Sequence, residues 1–102
     1  MKKLDIINRN TYLANQVSSQ VIDLCSKILT ILTIHPKLFF TACDSIQMEY
    51  YKADSSYLEL EVFADKIVVL LMPTHKYVDS DQFIIRPNDY SQLKTITQQF
   101  LK

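Results

Sequence analysis

Glu49, Glu59 and Glu61 fall in two short stretches, IQMEYY and YLELEVF, in which apolar residues recur at every second position. If the stretches pair as a hairpin, carboxylates stand opposite one another on one face of a sheet. Paired carboxylates do general acid–base work when their environments push their pKa values apart, and His35 or His75 could shuttle the proton. An open sheet face lacks the water-poor enclosure that such work requires. The chain also has neither a nucleophile elbow nor an HExxH pair, so catalysis is not expected. His35, next to Pro36, reads as structural, and His75 as a solvated loop residue. The same carboxylates, set among Tyr51, Tyr57 and Phe63, suit a different task. They can receive Lys or Arg from a partner protein while the rings serve as anchors. A plainer role stays open beside it. Solvated acids, or acids paired with Lys52, Lys66 or Arg86, keep a sheet face soluble and discourage edge association.

The elements that would position these residues follow from hydrophobic period. Val21, Leu24, Cys25, Ile28, Leu29 and Leu32 recur at helical spacing after Ser18 or Ser19, a good N-cap, and Pro36 is expected to stop this helix. Leu38 to Cys43 is short and apolar and reads as a strand, with Asp44-Ser45 as a turn. Residues 46–51 and 57–63 alternate with period two on either side of a loop at 52–56. Centring that loop on Asp54 pairs Tyr51 with Tyr57, Glu49 with Glu59 and Gln47 with Glu61. A tight turn at Ala64-Asp65 then sets Val68 beside Glu61 and Leu70 beside Glu59. Residues 67–72 are apolar on both faces, which predicts a central strand ended by Pro73. A polar loop from Thr74 to Asp81 leads to a strand over 82–86. A C-terminal helix follows, with Asn88 as expected N-cap and Leu93, Ile96, Thr97, Phe100 and Leu101 as its stripe. The predicted fold is α+β: an antiparallel meander of four to five strands with an N-terminal and a C-terminal helix on one face. The helices should meet Ile46, Met48, Leu58, Leu60, Val62, Ile67, Val69 and Leu71.

Composition narrows the classes of function. A chain of 102 residues makes one domain, 1–102, with a single core. Lys and Arg number 11, as do Asp and Glu, so the net charge is zero. Such a balance supplies no global field toward DNA, RNA or anionic membranes. No apolar stretch is long enough to span a bilayer and no secretory signal is evident, so a cytoplasmic location is expected. Cys25 and Cys43 lie in apolar stretches and read as buried reduced thiols, without the spacing of a metal site. The chain contains no glycine, which rules out Gly-rich phosphate loops. No cofactor or metal is expected. Any left-handed turn must then fall on a non-glycine residue, with Asn15, Asp44, Asp54 and Asp65 as candidates.

The segment Asn8-Arg9-Asn10-Thr11-Tyr12-Leu13-Ala14-Asn15-Gln16-Val17-Ser18 resembles N-W-[ND]-G-Y-G-A-x-P-[IV]-S, a motif that opens a group of small bacterial proteins. In that group a helix follows, then a Pro-bearing segment, then strands of the form S-I-Q-[FL]-E-[WY] and Y-L-E-[FI]-E-[IV]. This chain has Ser45-Ile46-Gln47-Met48-Glu49-Tyr50 and Tyr57-Leu58-Glu59-Leu60-Glu61-Val62 at the matching places. Arg9 stands for the motif's Trp, Thr11 and Leu13 for its glycines and Gln16 for its Pro, so any site those residues shape is remodelled. The resemblance implies an accessory or antitoxin-like protein of a bacterial or phage defence locus.

The expected function is a non-enzymatic interaction module that binds another protein, or itself as a homodimer, through the outer sheet face. Tyr12, Tyr51, Tyr57 and Phe63 are the expected anchors, with Glu49, Glu59 and Glu61 receiving basic groups. The alternative is a small-ligand binder or minor enzyme with a pocket between the N-terminal segment and the sheet.

Overall fold

The computed structural model describes residues 17–73 and 80–102. Helix α1 (Ser19–Ile31) comes first, then strands β1 (Lys37–Phe40), β2 (Ile46–Tyr51), β3 (Tyr57–Val62), β4 (Ile67–Met72) and β5 (Asp81–Ile85). Helix α2 (Tyr90–Leu101) closes the chain. The strands form one antiparallel sheet in the order β1-β2-β3-β4-β5, a meander, and the helices cover one face of it. This is the α+β arrangement expected from the alternation of apolar residues. The lead-in through Gln16, including Tyr12 and Asn15, lies outside the described residues, as does His75 in the β4–β5 connection.

The core forms because period-two strands and period-3.6 helices present their apolar residues to the same layer. Ile46, Met48, Leu58, Leu60, Val62, Ile67 and Val69 are fully buried against Val21, Cys25, Ile28 and Leu29 of α1 and Leu93 of α2. Each such aliphatic side chain contributes about 1.5–3 kcal/mol by leaving water. Leu71, expected in this set, is only half-buried. Strand β4 lies between β3 and β5, but Val68 and Leu70 on its other face are half-buried, so it is not covered on both sides. Thr97 sits on the apolar stripe of α2 because its hydroxyl donates to the Leu93 and Lys94 carbonyls of its own helix.

The ends of the elements depart from expectation in instructive ways. Ser18 caps α1 as expected, its hydroxyl accepting from the Val21 N–H at 3.4 Å. The helix then ends at Ile31, well before Pro36, because Leu32 turns extended and drops its side chain into the core. Tyr50 donates its hydroxyl to the Ile34 carbonyl and pins the segment that follows, while His35 is exposed. Strand β1 stops at Phe40 rather than running to Cys43. Beyond it Thr41 and Ser45 close a turn, backbone to backbone at 3.1 Å, and Asp44 takes φ 54° within it. Cys43 is therefore exposed rather than buried; Cys25 is buried, and burial pushes its thiol pKa up to about 12. Asp44 also accepts from the Ser18 N–H at 2.6 Å, which ties the start of α1 to the β1–β2 turn.

In the β2–β3 hairpin the left-handed residue is Ser55, at φ 71°, and not Asp54. The Asp54 carboxylate instead accepts from both the N–H and the hydroxyl of Ser56, and these bonds hold its pKa below the usual value. Asp65 turns without a positive φ, and the Phe63 N–H donates to the Lys66 carbonyl at 2.9 Å to close that turn.

The N-cap of α2 is Asp89 rather than Asn88. Pro87 and Asn88 form the middle of a turn in which the Asp89 N–H donates to the Arg86 carbonyl at 3.1 Å, so the helix starts one residue later. The Asp89 carboxylate accepts from the Gln92 N–H at 3.1 Å. Asp89→Ala should therefore cost about 1 kcal/mol of stability, and Asn88→Ala only a few tenths. Urea unfolding of the two variants beside the parent chain checks the assignment.

Candidate functional site

The strand registers assemble a grid on the sheet face away from the helices. Phe39, Gln47, Glu61, Val68 and Ile84 form one row across all five strands. Lys37, Glu49, Glu59, Leu70 and Gln82 form the next. Tyr51, Tyr57 and Met72 form a third. The expected pairs Tyr51–Tyr57, Glu49–Glu59, Gln47–Glu61, Glu61–Val68 and Glu59–Leu70 are all present. Five of the seven residues singled out as partner-binding, Glu49, Tyr51, Tyr57, Glu59 and Glu61, thus share one face. Phe63 follows β3 beyond Val62 with the same alternation and is half-buried.

Like charges facing each other across a ladder cost a few tenths to about 1 kcal/mol. The sheet answers with hydroxyl donors. Tyr51 donates to Glu49 and Tyr57 to Glu59, each at 2.6 Å between partners two residues apart on one strand. Spacing by two puts tyrosine and glutamate on the same side of the pleat, which makes each bond local to its strand. The two rings meet across the strands with centroids 4.9 Å apart and planes at 47°. The Lys37 ammonium lies 5.4 Å from the Tyr51 ring centroid, a cation–π contact.

Glu61 is held differently. Buried Ser45 donates its hydroxyl to the Glu61 carboxylate at 2.6 Å. With the Ser45 proton committed there, Thr41 is the donor in its contact with the Ser45 hydroxyl at 2.5 Å, and it accepts from the Cys43 N–H at 3.1 Å. Glu61 thereby anchors the β1–β2 turn. Of the cations proposed as partners of these acids, Lys66 lies over the Phe63 ring at 5.1 Å and Lys52 over the Phe100 ring at 5.4 Å.

The rim of the grid carries two residues that sequence reasoning missed. Phe39 is 47 % exposed and Ile84 65 %, and with the expected anchor Tyr51, at 59 %, they are large side chains left open to solvent. Extending the hairpin register one strand to each side would have placed Phe39 beside Gln47 and Ile84 beside Val68. Among the described residues no group of three or more His, Cys, Asp or Glu side chains is placed to hold a metal ion, and no helix is long and apolar enough to cross a membrane.

No family model, curated protein or solved structure matches this chain.

The tyrosines carry a pH signature. Burial raises the Tyr50 pKa from 10.0 to about 12. Burial and then the Glu59 hydrogen bond push Tyr57 higher still, and the bond to Glu49 is the main cause of the rise at Tyr51. A raised phenol pKa means that the folded chain holds its proton more tightly than the unfolded chain. That stability is full below pH 10 and is lost as pH climbs through 10 toward 12 and above. Unfolding free energies measured on the alkaline side should fall with pH, and the fall should be shallower in Tyr57→Phe. An equally steep fall in that variant would exclude Tyr57 as a source.

Proposed function

We propose that this protein is a non-enzymatic interaction module that binds a basic partner protein through the outer sheet face. The observation that carries the proposal is the composition of that face. Exposed Phe39, Tyr51 and Ile84, with Val68, Leu70 and Met72, surround a paired acidic centre at Glu49 and Glu59. Isolated exposed apolar residues need no explanation, but several on one flat face mark an interface. Aromatic anchors around an acidic centre suit arginine, whose guanidinium stacks on rings and bridges carboxylates. The carboxylates are already oriented by tyrosine hydroxyls, so little side-chain order is left to impose on binding. Tyr12 and Phe63 would extend the contact in the same reading.

A partner of this kind fits an accessory or antitoxin-like protein that neutralises or regulates a toxin or defence effector, the role implied by the resemblance over residues 8–72. A second copy of the chain is the close variant, because Lys37, in the row of Glu49 and Glu59, offers a cation of its own on the same face.

Glu59→Lys combined with Tyr51→Ala should keep the fold and weaken partner binding by at least roughly 30-fold, the effect of losing about 2 kcal/mol at an interface centre. Glu61 is left untouched because Ser45 needs its carboxylate. Affinity capture of the tagged protein from its native cell, with mass spectrometry of what co-purifies, identifies the partner; its loss in the double variant supports this surface. Retention of the partner at the parental level would move the interface elsewhere. Sedimentation of the purified chain distinguishes the homodimer, which should dissociate under the same substitutions.

A further inference from the structure

A second site lies on the opposite side of the sheet, beside the last turns of α2. A cavity of about 380 Å³ opens there between the β2–β3 hairpin, the end of β4, the middle of β5 and the last turns of α2. Leu71, Phe83, Ile96 and Phe100 form its apolar lining, and Lys52, Asp54, Ser56 and Gln99 its polar part. The half-burial of Leu71, unexpected for a residue on the core face, is explained by its place in this lining. Pockets that hold small molecules run from roughly 300 to 1,000 Å³ and pair an apolar body with a few polar groups. An apolar cavity of about 150 Å³ already accepts benzene, so this one has room for a fused aromatic ring or a chain of octanoate length.

The polar groups are not equivalent. The Asp54 carboxylate is taken up by the N–H and hydroxyl of Ser56, which is itself buried. Lys52 helps keep that carboxylate ionised, but its ammonium rests over the Phe100 ring, 5.4 Å from the centroid. A flexible cation over the apolar lining can turn to meet an incoming anion, exchanging the ring contact for a charge-assisted pair. The Gln99 amide adds a neutral donor at the same rim.

We propose that this cavity binds a small apolar carboxylic acid, its chain or ring on Leu71, Phe83, Ile96 and Phe100 and its carboxylate on Lys52. The site is separate from the outer sheet face and stands whether or not that face binds a protein.

Octanoate and 1-octanol are the probes, since they share a chain and differ in the head group. Calorimetry and methyl NMR on the full chain should show saturable binding of octanoate with shifts at Leu71 and Ile96, about ten-fold tighter than octanol. Lys52→Met should erase that preference and leave octanol binding unchanged. Gln99→Trp, a substitution at an exposed helix position beside the cavity, should fill the space and abolish binding of both while the fold persists. Equal affinity for the two probes in the parent chain would overturn the carboxylate assignment. Absence of saturable shifts at Leu71 and Ile96, or binding that survives Gln99→Trp, would overturn the site.

Discussion

The register between β2 and β3 is the constraint on which the rest of this structure depends. Side chains alternate across a strand with period two, so a slip by one residue would set Met48 opposite a glutamate of β3, and one of the two strands would turn its apolar residues to water and its carboxylates into the core. Loss of several buried aliphatic side chains at about 1.5–3 kcal/mol each, with charges buried in their place, is more than a domain of this size can bear. The hydrophobic term therefore dictates the pairing, and everything on the outer face is its consequence.

That consequence is electrostatically awkward. The register that buries Met48 against Leu60 also sets Glu49 against Glu59. The cost is smaller than the burial it accompanies by several-fold, so packing wins and the acids must be accommodated. Tyr51 and Tyr57 accommodate them by hydrogen bonding from the same strand, and their rings meet at a tilt across the hairpin. Glu61 is accommodated by Ser45 and Thr41, which makes it part of the β1–β2 turn rather than a free carboxylate. The three acids look alike in sequence and differ in role because of which hydroxyl lies within reach. Without glycine, the left-handed positions among the described residues fall on Asp44 and Ser55, and side-chain oxygens of Asp44, Asp54 and Thr41 take over the work of holding the turns.

Much of the fold was legible in the sequence because it rests on period. The hairpin alternation gave the pairs across β2, β3 and β4 residue by residue, and the acidic–aromatic face followed from them. What was not legible depends on contacts that period does not encode. The helix ends at Ile31 because Leu32 finds the core in an extended conformation, and β1 ends at Phe40 because Ser45 closes a turn with Thr41. The cap of α2 falls on Asp89 because a Pro-initiated turn uses up the residue before it. Phe39 and Ile84, the exposed rim of the candidate surface, sit on edge strands whose registers were not extended from the central hairpin. The cavity lined by Lys52, Leu71 and Phe100 joins three elements far apart in sequence, and no local pattern announces it.

The central claim is that the face bearing Tyr51, Glu59 and Ile84 is where this protein meets a partner. The most direct measurement is site-specific photocrosslinking in the native cell, with a photoreactive amino acid in place of exposed Ile84 on that face and of exposed Lys94 on α2. One dominant protein adduct from position 84, absent from position 94, is the result this account predicts. Adducts from position 94 alone, or none from position 84 in a correctly folded chain, would contradict it.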